Sequence, residues 1–200
     1  MKKGLIVLIA IGVFILLIGA WIARVNNNLV PLDEGVNAQW GNVESSYQRR
    51  ADLIPNIVNT AKGYAQFEQE TLTKVIEARS KATSITIDPS NITPAQLQQF
   101  QQAQSGLTSA LSRLLATFER YPDLKANENF RELINELERT ENRINVERNR
   151  FNDSAKALNS EIRLFPTKFI AGFLGFDKRA YFEADAGAEK APEVEFDFSK

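Results

Sequence analysis

Between Lys3 and Arg24 the chain runs for twenty residues, Gly4 to Ala23, without a charged side chain. Inside a bilayer no water satisfies backbone N–H and C=O groups, so a lone segment of this kind can only be a helix. At about 1.5 Å per residue it is about 30 Å long, the thickness of a hydrocarbon core. A secretory signal has a shorter apolar region, about 7 to 15 residues, and ends in small residues around its cleavage site. Cleavage after Ala23 would put Trp21, and cleavage after Ala20 would put Ile18, where a small residue is needed. The sequence therefore predicts a retained single-pass transmembrane anchor over residues 1–25, with Trp21 in the interfacial belt. Lys2 and Lys3 against the single Arg24 place the N-terminus in the cytoplasm and the rest of the chain outside it.

The remaining length suits one modest helical domain. Its charges nearly balance, 24 basic against 25 acidic, and no basic face is interleaved with aromatics, so no nucleic-acid partner is expected. There is no histidine and no cysteine. That removes thiolate nucleophiles, disulfides, imidazole and thiolate metal ligands, and the one side chain that titrates near neutrality. No catalytic, cofactor-binding or metal-binding residues are expected, and so no enzyme.

Apolar residues recur at threes and fours from Val36 through Trp40, Val43, Tyr47, Ile54, Ile57 and Ala61 to Ala82, a helical pattern over the whole of 33–83. "TSITIDPSNITP" (83–94) reads as a loop ending in Thr93 as helix cap, with Pro94 in the first position. Leu97, Phe100, Leu107, Leu111, Leu114 and Phe118 mark the next helix, and the glutamines of 96–104 read as its exposed face. "ERYPDLKANENF" (119–130) breaks at Pro122 and restarts with Asn127 as cap. Phe130, Leu137, Ile144, Phe151, Leu158 and Phe165 then stand seven apart, a seam about 38 residues long. The last stretch, 183–200, holds six acidic residues against two lysines and reads as an acidic flexible tail, with "EVEFDF" as a strand-like docking segment.

"SYQRRADLIPNIVNTAKGYA" sits in the middle of the first helical pattern. One straight helix over 33–83 would be about 75 Å long, and a following helix of about 38 Å would leave Val36, Trp40, Val43 and Tyr47 bare. A reversal near Arg50–Ile54, with Asp52 as cap and Pro55 in the first turn, removes that problem. The unbroken apolar phase across Pro55 speaks for a kink instead. The length argument favours the corner, and with it an all-α fold: an N-terminal transmembrane helix followed by an antiparallel up-and-down four-helix bundle over 26–182.

Charges fall where the seams want apolar groups: Arg50, Glu68, Glu141 and Arg148. Such charges need partners when buried, so ion pairs that fix helix register are expected, the arginines finding carboxylates on the helix after "ERYPDLKANENF". Arg49, Arg50 and Asp52 with Arg120, Tyr121, Asp123 and Lys125 form the candidate partner-contact cluster, since the corner brings both turns to the far end. The aromatic run Phe165, Phe169, Phe173 and Phe176 either covers the open end of the bundle or lies in the membrane interface with Lys168, Lys178 and Arg179 at the headgroups.

The stretches "YQRRADLIPNIVNTAKGYA", "ERYPDLKANENFRELINELERTENRI", "ERNRFNDSAKALNSEIRLFP" and "GFDKRAYFEADAGAEKAPEVEF" behind a hydrophobic N-terminus resemble the LemA family of bacterial membrane proteins. The resemblance covers nearly all of 26–198. It implies a helical bundle behind one anchor in the bacterial inner membrane, and no catalytic residues to carry over. Relatives often have a histidine after "GYA", where this chain has Gln66 and Phe67. The expected function is a membrane-anchored scaffold or adaptor, touching lipids and either copies of itself or other envelope proteins. The alternative is a membrane-organising or remodelling module that uses the Phe-rich segment 165–182.

Overall fold

The computed structural model describes residues 2–63 and 68–183. Gln66, Phe67 and the acidic tail from residue 184 onward, including "EVEFDF", lie outside the described residues. Helix α1 spans Lys2–Lys62, α2 Gln69–Thr83, α3 Pro94–Phe118, α4 Pro122–Ala126 and α5 Glu128–Arg163, with 3-10 turns at Pro89–Asn91 and Thr167–Phe169. The class is all-α, and one long apolar helix leads the chain.

The corner near Arg50–Ile54 does not form. α1 continues through both Pro31 and Pro55 for 61 residues, about 92 Å at helical rise, and the chain turns back only between α1 and α2. Asp52 is therefore an exposed mid-helix residue whose carboxylate accepts from Gln48, 2.8 Å away, and not a cap. The helical pattern read from residue 33 likewise has no separate start there, and Asp33 lies within α1.

A proline inside a helix removes one N–H and leaves the carbonyl four residues earlier without its usual donor. For Pro55 that carbonyl belongs to Ala51, which is buried. Arg79 of α2 fills the gap, donating from Nε to the Ala51 oxygen at 2.7 Å. The helix can thus pass the proline without an unsatisfied buried acceptor.

The other helix starts follow their local signals. Thr93 accepts from the Gln96 amide and Gln96 reaches back to Thr93, a capping box with Pro94 in the first turn. Asn127 caps α5 by accepting from the Phe130 amide at 2.9 Å. Leu124 is fully buried, and Tyr121 packs beside it against the apolar end of the bundle.

Arg49 and Arg50 of α1 reach Glu136 and Glu141 of α5, while Gln39 reaches Glu147, so the two helices run antiparallel. α2 is antiparallel to α3, with Glu68 bonded to Arg120 and the Ala82 carbonyl bonded to Gln104. The four segments are unequal, however, at 61, 15, 25 and 36 residues. α2 lies along the distal half of the body part of α1, and α3 reaches from there only as far as Trp40, on which its Phe100 packs at 5.4 Å.

The proximal stripe of α1 is nevertheless buried: Val36, Trp40, Val43 and Tyr47 are all inside. α5 covers it along one side, and Leu97 and Phe100 at the start of α3, the loop carrying Ile87 and Ile92 and the segment after α5 cover the rest. Phe182 stacks on Trp40 at 6.0 Å and 10°, and Phe151 meets Trp40 edge-on. Asn152 pairs through its amide with both backbone groups of Phe182, and Asn159 does the same for Arg179. These two asparagines, seven residues apart on α5, hold residues 179–182 along the bundle as a strap.

Two measurements test this course of α1. Spin labels at Ala38 and Lys62, both exposed, should lie about 36 Å apart along one helix, whereas a corner at 50–54 would bring them within about 15 Å. Arg79→Ala should cost about 1–3 kcal/mol in denaturant unfolding by orphaning the Ala51 carbonyl, and clearly less in a Pro55→Ala background that restores the helical donor.

Candidate functional site: a polar layer across the bundle

The apolar spacing of α1 that places Tyr47 and Ile54 inward also places Arg50 inward, at 1% exposure. Its Nη1 donates to Glu141 Oε1 on α5 at 2.8 Å and to Thr108 Oγ1 on α3 at 2.9 Å. Nη2 donates to Gln104 Oε1 on α3 at 2.6 Å, and the guanidinium lies over the Tyr47 ring at 5.1 Å. Gln104 in turn donates to the carbonyl of Ala82, in the last turn of α2, where no helical donor remains. Arg50 therefore reaches α3 and α5 directly and α2 through Gln104. With Arg79 on the Ala51 carbonyl, all four long segments meet in one polar layer.

This layer separates two apolar clusters. One runs from Val25 to Tyr47 with Phe100, Ile144, Phe151 and Phe182; the other gathers Ile54, Ile57, Leu72, Leu111, Phe118, Phe130 and Leu137. A cleft of about 130 Å³ opens onto the layer between α3 and α5, lined by Arg50, Gln101, Thr108, Glu141, Asn145 and Arg148 among others.

The candidate residues fall into separate places. Arg49 forms a surface pair with Glu136 at 2.6 Å. Arg148 donates to the Glu183 carbonyl at 2.7 Å and lies over the Phe182 ring at 5.1 Å, which makes it part of the strap's hold. Glu68 is exposed at the start of α2 and pairs with Arg120 at 2.8 Å, not with Glu141. Lys125 pairs with Glu119, and Asp123 is exposed in the first turn of α4. Because α1 does not turn at residue 50, Arg49, Arg50 and Asp52 lie at mid-bundle and the Arg120–Lys125 turn at the distal end. The two groups do not make one surface.

Several polar residues take roles the sequence did not indicate. Buried Glu147 accepts from Gln39 at 2.7 Å and from Arg150 at 3.1 Å. Arg179, placed at lipid headgroups by one of the two readings of its segment, is instead buried and donates to Asp33 at 2.7 Å and to the Ser90 carbonyl. Ser90 also donates to Asp88, first from its backbone N–H and then from its hydroxyl, and this holds the Asp88 carboxyl below its usual range. Among the described residues no three acidic side chains are grouped to hold a metal ion.

Of the aromatic run, Phe165, Phe169 and Phe173 are exposed, whereas Phe176 and Trp21 are half-buried against the proximal cluster. Phe165 lies beyond the end of α5 and is not a sixth seam position.

A model of the LemA family matches residues 39–196. The chain belongs to the LemA family. Protein LemA of Metamycoplasma hominis is 30% identical over 175 residues, covering 86% of this chain and 76% of that protein. Magnetosome protein MamQ 2 of Paramagnetospirillum magneticum is 24% identical over 176 residues, 78% of this chain and 64% of that protein. Magnetosome protein MamQ of Magnetospirillum gryphiswaldense is 26% identical over 181 residues, 80% and 66% respectively. None of these names is that of an enzyme. The family, the apolar leading helix and the helical body together describe a membrane-associated helical protein.

Unequal burial of Arg50 and Glu141 predicts unequal mutational costs. Glu141→Ala leaves a buried cation facing only neutral acceptors and should cost about 3–5 kcal/mol in denaturant unfolding. Arg50→Met leaves a carboxylate whose side chain is 32% exposed and can rehydrate, so it should cost clearly less. The double variant should recover much of the loss.

Proposed function

We propose that this LemA-family chain is a scaffold or adaptor of the bacterial inner membrane, without catalytic activity, whose bundle stands outside the cytoplasm and engages other envelope proteins or copies of itself. The observation that carries this reading is the unbroken α1. One helix is both the apolar span and the spine of the body, so the body is presented at a fixed height. From Arg24 to Lys62 that spine rises about 57 Å. Confinement to the membrane raises the effective concentration of weak partners without any new contact. Two relatives are named for a cellular structure, the magnetosome, and not for a reaction, which fits a structural role.

The surface offered farthest from the span is the α3–α4–α5 turn, where Arg120, Asp123 and Lys125 are exposed. An outer groove between α2 and α3, about 670 Å³ and bearing Lys74, Lys81 and Arg113, offers a second surface. A photo-crosslinking residue at Asp123 or Arg113 of the full chain in native membranes should give discrete adducts with an envelope protein or a second copy, while one at Glu138 gives far fewer. Equal adducts from all three positions would count against the adaptor. Because the chain has no cysteine, Asp123→Cys supplies a single thiol. A membrane-impermeant maleimide should label it in intact spheroplasts, and protection until lysis would reverse the orientation.

A further inference from the structure

The end of the body nearest the span carries a contiguous apolar face. Leu164 and Phe165 follow α5, and Phe169 and Phe173 come next at intervals of four, exposed at 60% and 93%. Phe165 and Phe169 touch edge to face at 5.8 Å, and Lys168 lies over the Phe169 ring at 5.1 Å. The opposite side of this segment is bound to the body: Thr167 and Ala171 are buried, and Ile170 and Leu174 pack on the proximal cluster. The outward phenylalanines are therefore held in place by the folded chain and do not dangle from it.

Helix register fixes their height. Arg49 with Glu136, Arg50 with Glu141, Trp40 with Phe151 and Gln39 with Glu147 step in opposite senses, which puts Arg163, the end of α5, level with roughly residue 25 of α1. The uncharged run ends at Ala23. Trp21 itself packs on the same cluster as Ile170, Leu174, Val25 and Leu29, so the segment after α5 adjoins the last turn of the span. Exposed Arg24, Arg163, Lys168 and Lys178 surround this end, with exposed Asp177 among them.

We infer that Leu164, Phe165, Phe169 and Phe173 form a second membrane contact, seated in the headgroup and upper acyl region of the leaflet from which α1 emerges. Three observations converge on lipid as the occupant: the segment that carries the face shares an apolar cluster with Trp21 of the span, the face lies at the height of the span's end, and basic side chains that suit anionic headgroups ring it. Two contacts on different elements, the span and this face, fix the body's tilt and rotation as well as its height. The inference depends on the anchor and not on the scaffold role.

The full chain is reconstituted at one copy per nanodisc, in an equal mixture of phosphatidylcholine and phosphatidylglycerol, with an environment-sensitive fluorophore on Phe173→Cys. Its emission should be blue-shifted, and lipids brominated near the top of the acyl chains should quench it about twofold, since an interfacial face sits about 5–10 Å deep. A label at Ser109→Cys on α3 serves as the water-exposed standard. A label at Arg163→Cys should be quenched as well, and should lose that quenching when Phe169→Ser and Phe173→Ser are added together. Water-like emission from position 173 overturns the inference. So does a blue shift seen only with two copies per disc and insensitive to brominated lipid, which would assign the face to a second copy of the chain.

Discussion

A guanidinium at 1% exposure in the middle of a helical bundle is the constraint around which the rest of this fold is arranged. Removing Arg50 from water is costly, and the cost is offset only while Glu141, Thr108 and Gln104 all stand within hydrogen-bond reach. Those partners sit on two other helices, and Gln104 also holds the carbonyl end of α2. Sliding any helix by one turn would break at least one of these bonds while leaving apolar contacts largely replaceable. The layer therefore supplies the register that two clusters of leucine, isoleucine, valine and phenylalanine cannot specify unaided. This is the best-attested use of buried polar groups in helical assemblies.

Signals whose partners lie within a few residues were legible in the sequence. Thr93 with Gln96, Pro94, and Asn127 with Phe130 all act as their spacing indicates. So does the heptad seam as far as Leu158, and the need of Arg49 and Arg50 for carboxylates on α5 was met at Glu136 and Glu141. What failed depended on distant partners. Asp52 three residues before Pro55 has the composition of a helix start, and nothing nearby reveals that Arg79 will satisfy the Ala51 carbonyl. Gln104 looked like one more glutamine in an exposed patch, and Arg179 like a headgroup contact, because Asp33 is 146 residues away.

The length argument that favoured a corner assumed that only a helix can cover a helix. The proximal stripe of α1 is covered by α5, by the first turns of α3 through Leu97 and Phe100, and over the remainder by irregular chain. Such chain can lie against a core only if its backbone groups are satisfied, since each orphaned group costs as much as a lost hydrogen bond. Asn152 and Asn159 meet that requirement for residues 182 and 179, each giving one donor and one acceptor as a neighbouring strand would. Phe182 is thereby delivered onto Trp40, and the apolar stripe that looked unsupportable becomes a core.

Sharing one helix between membrane and body has a mechanical consequence. With a flexible linker the bundle would rotate freely above the bilayer and present every face to its surroundings. With α1 continuous from the span to Lys62, any tilt of the span is transmitted to the body, and a helix of this length bends only gently except where a proline loosens it. Pro31 lies in α1 just above the apolar run, while Pro55 is locked by Arg79 near the polar layer. The proximal proline removes one helical hydrogen bond, and its neighbours Leu29 and Leu32 share an apolar cluster with Ile170 and Ala171 of the segment Leu164–Phe173. Whatever that segment touches on its outer side bears on the angle at which the distal surface is held.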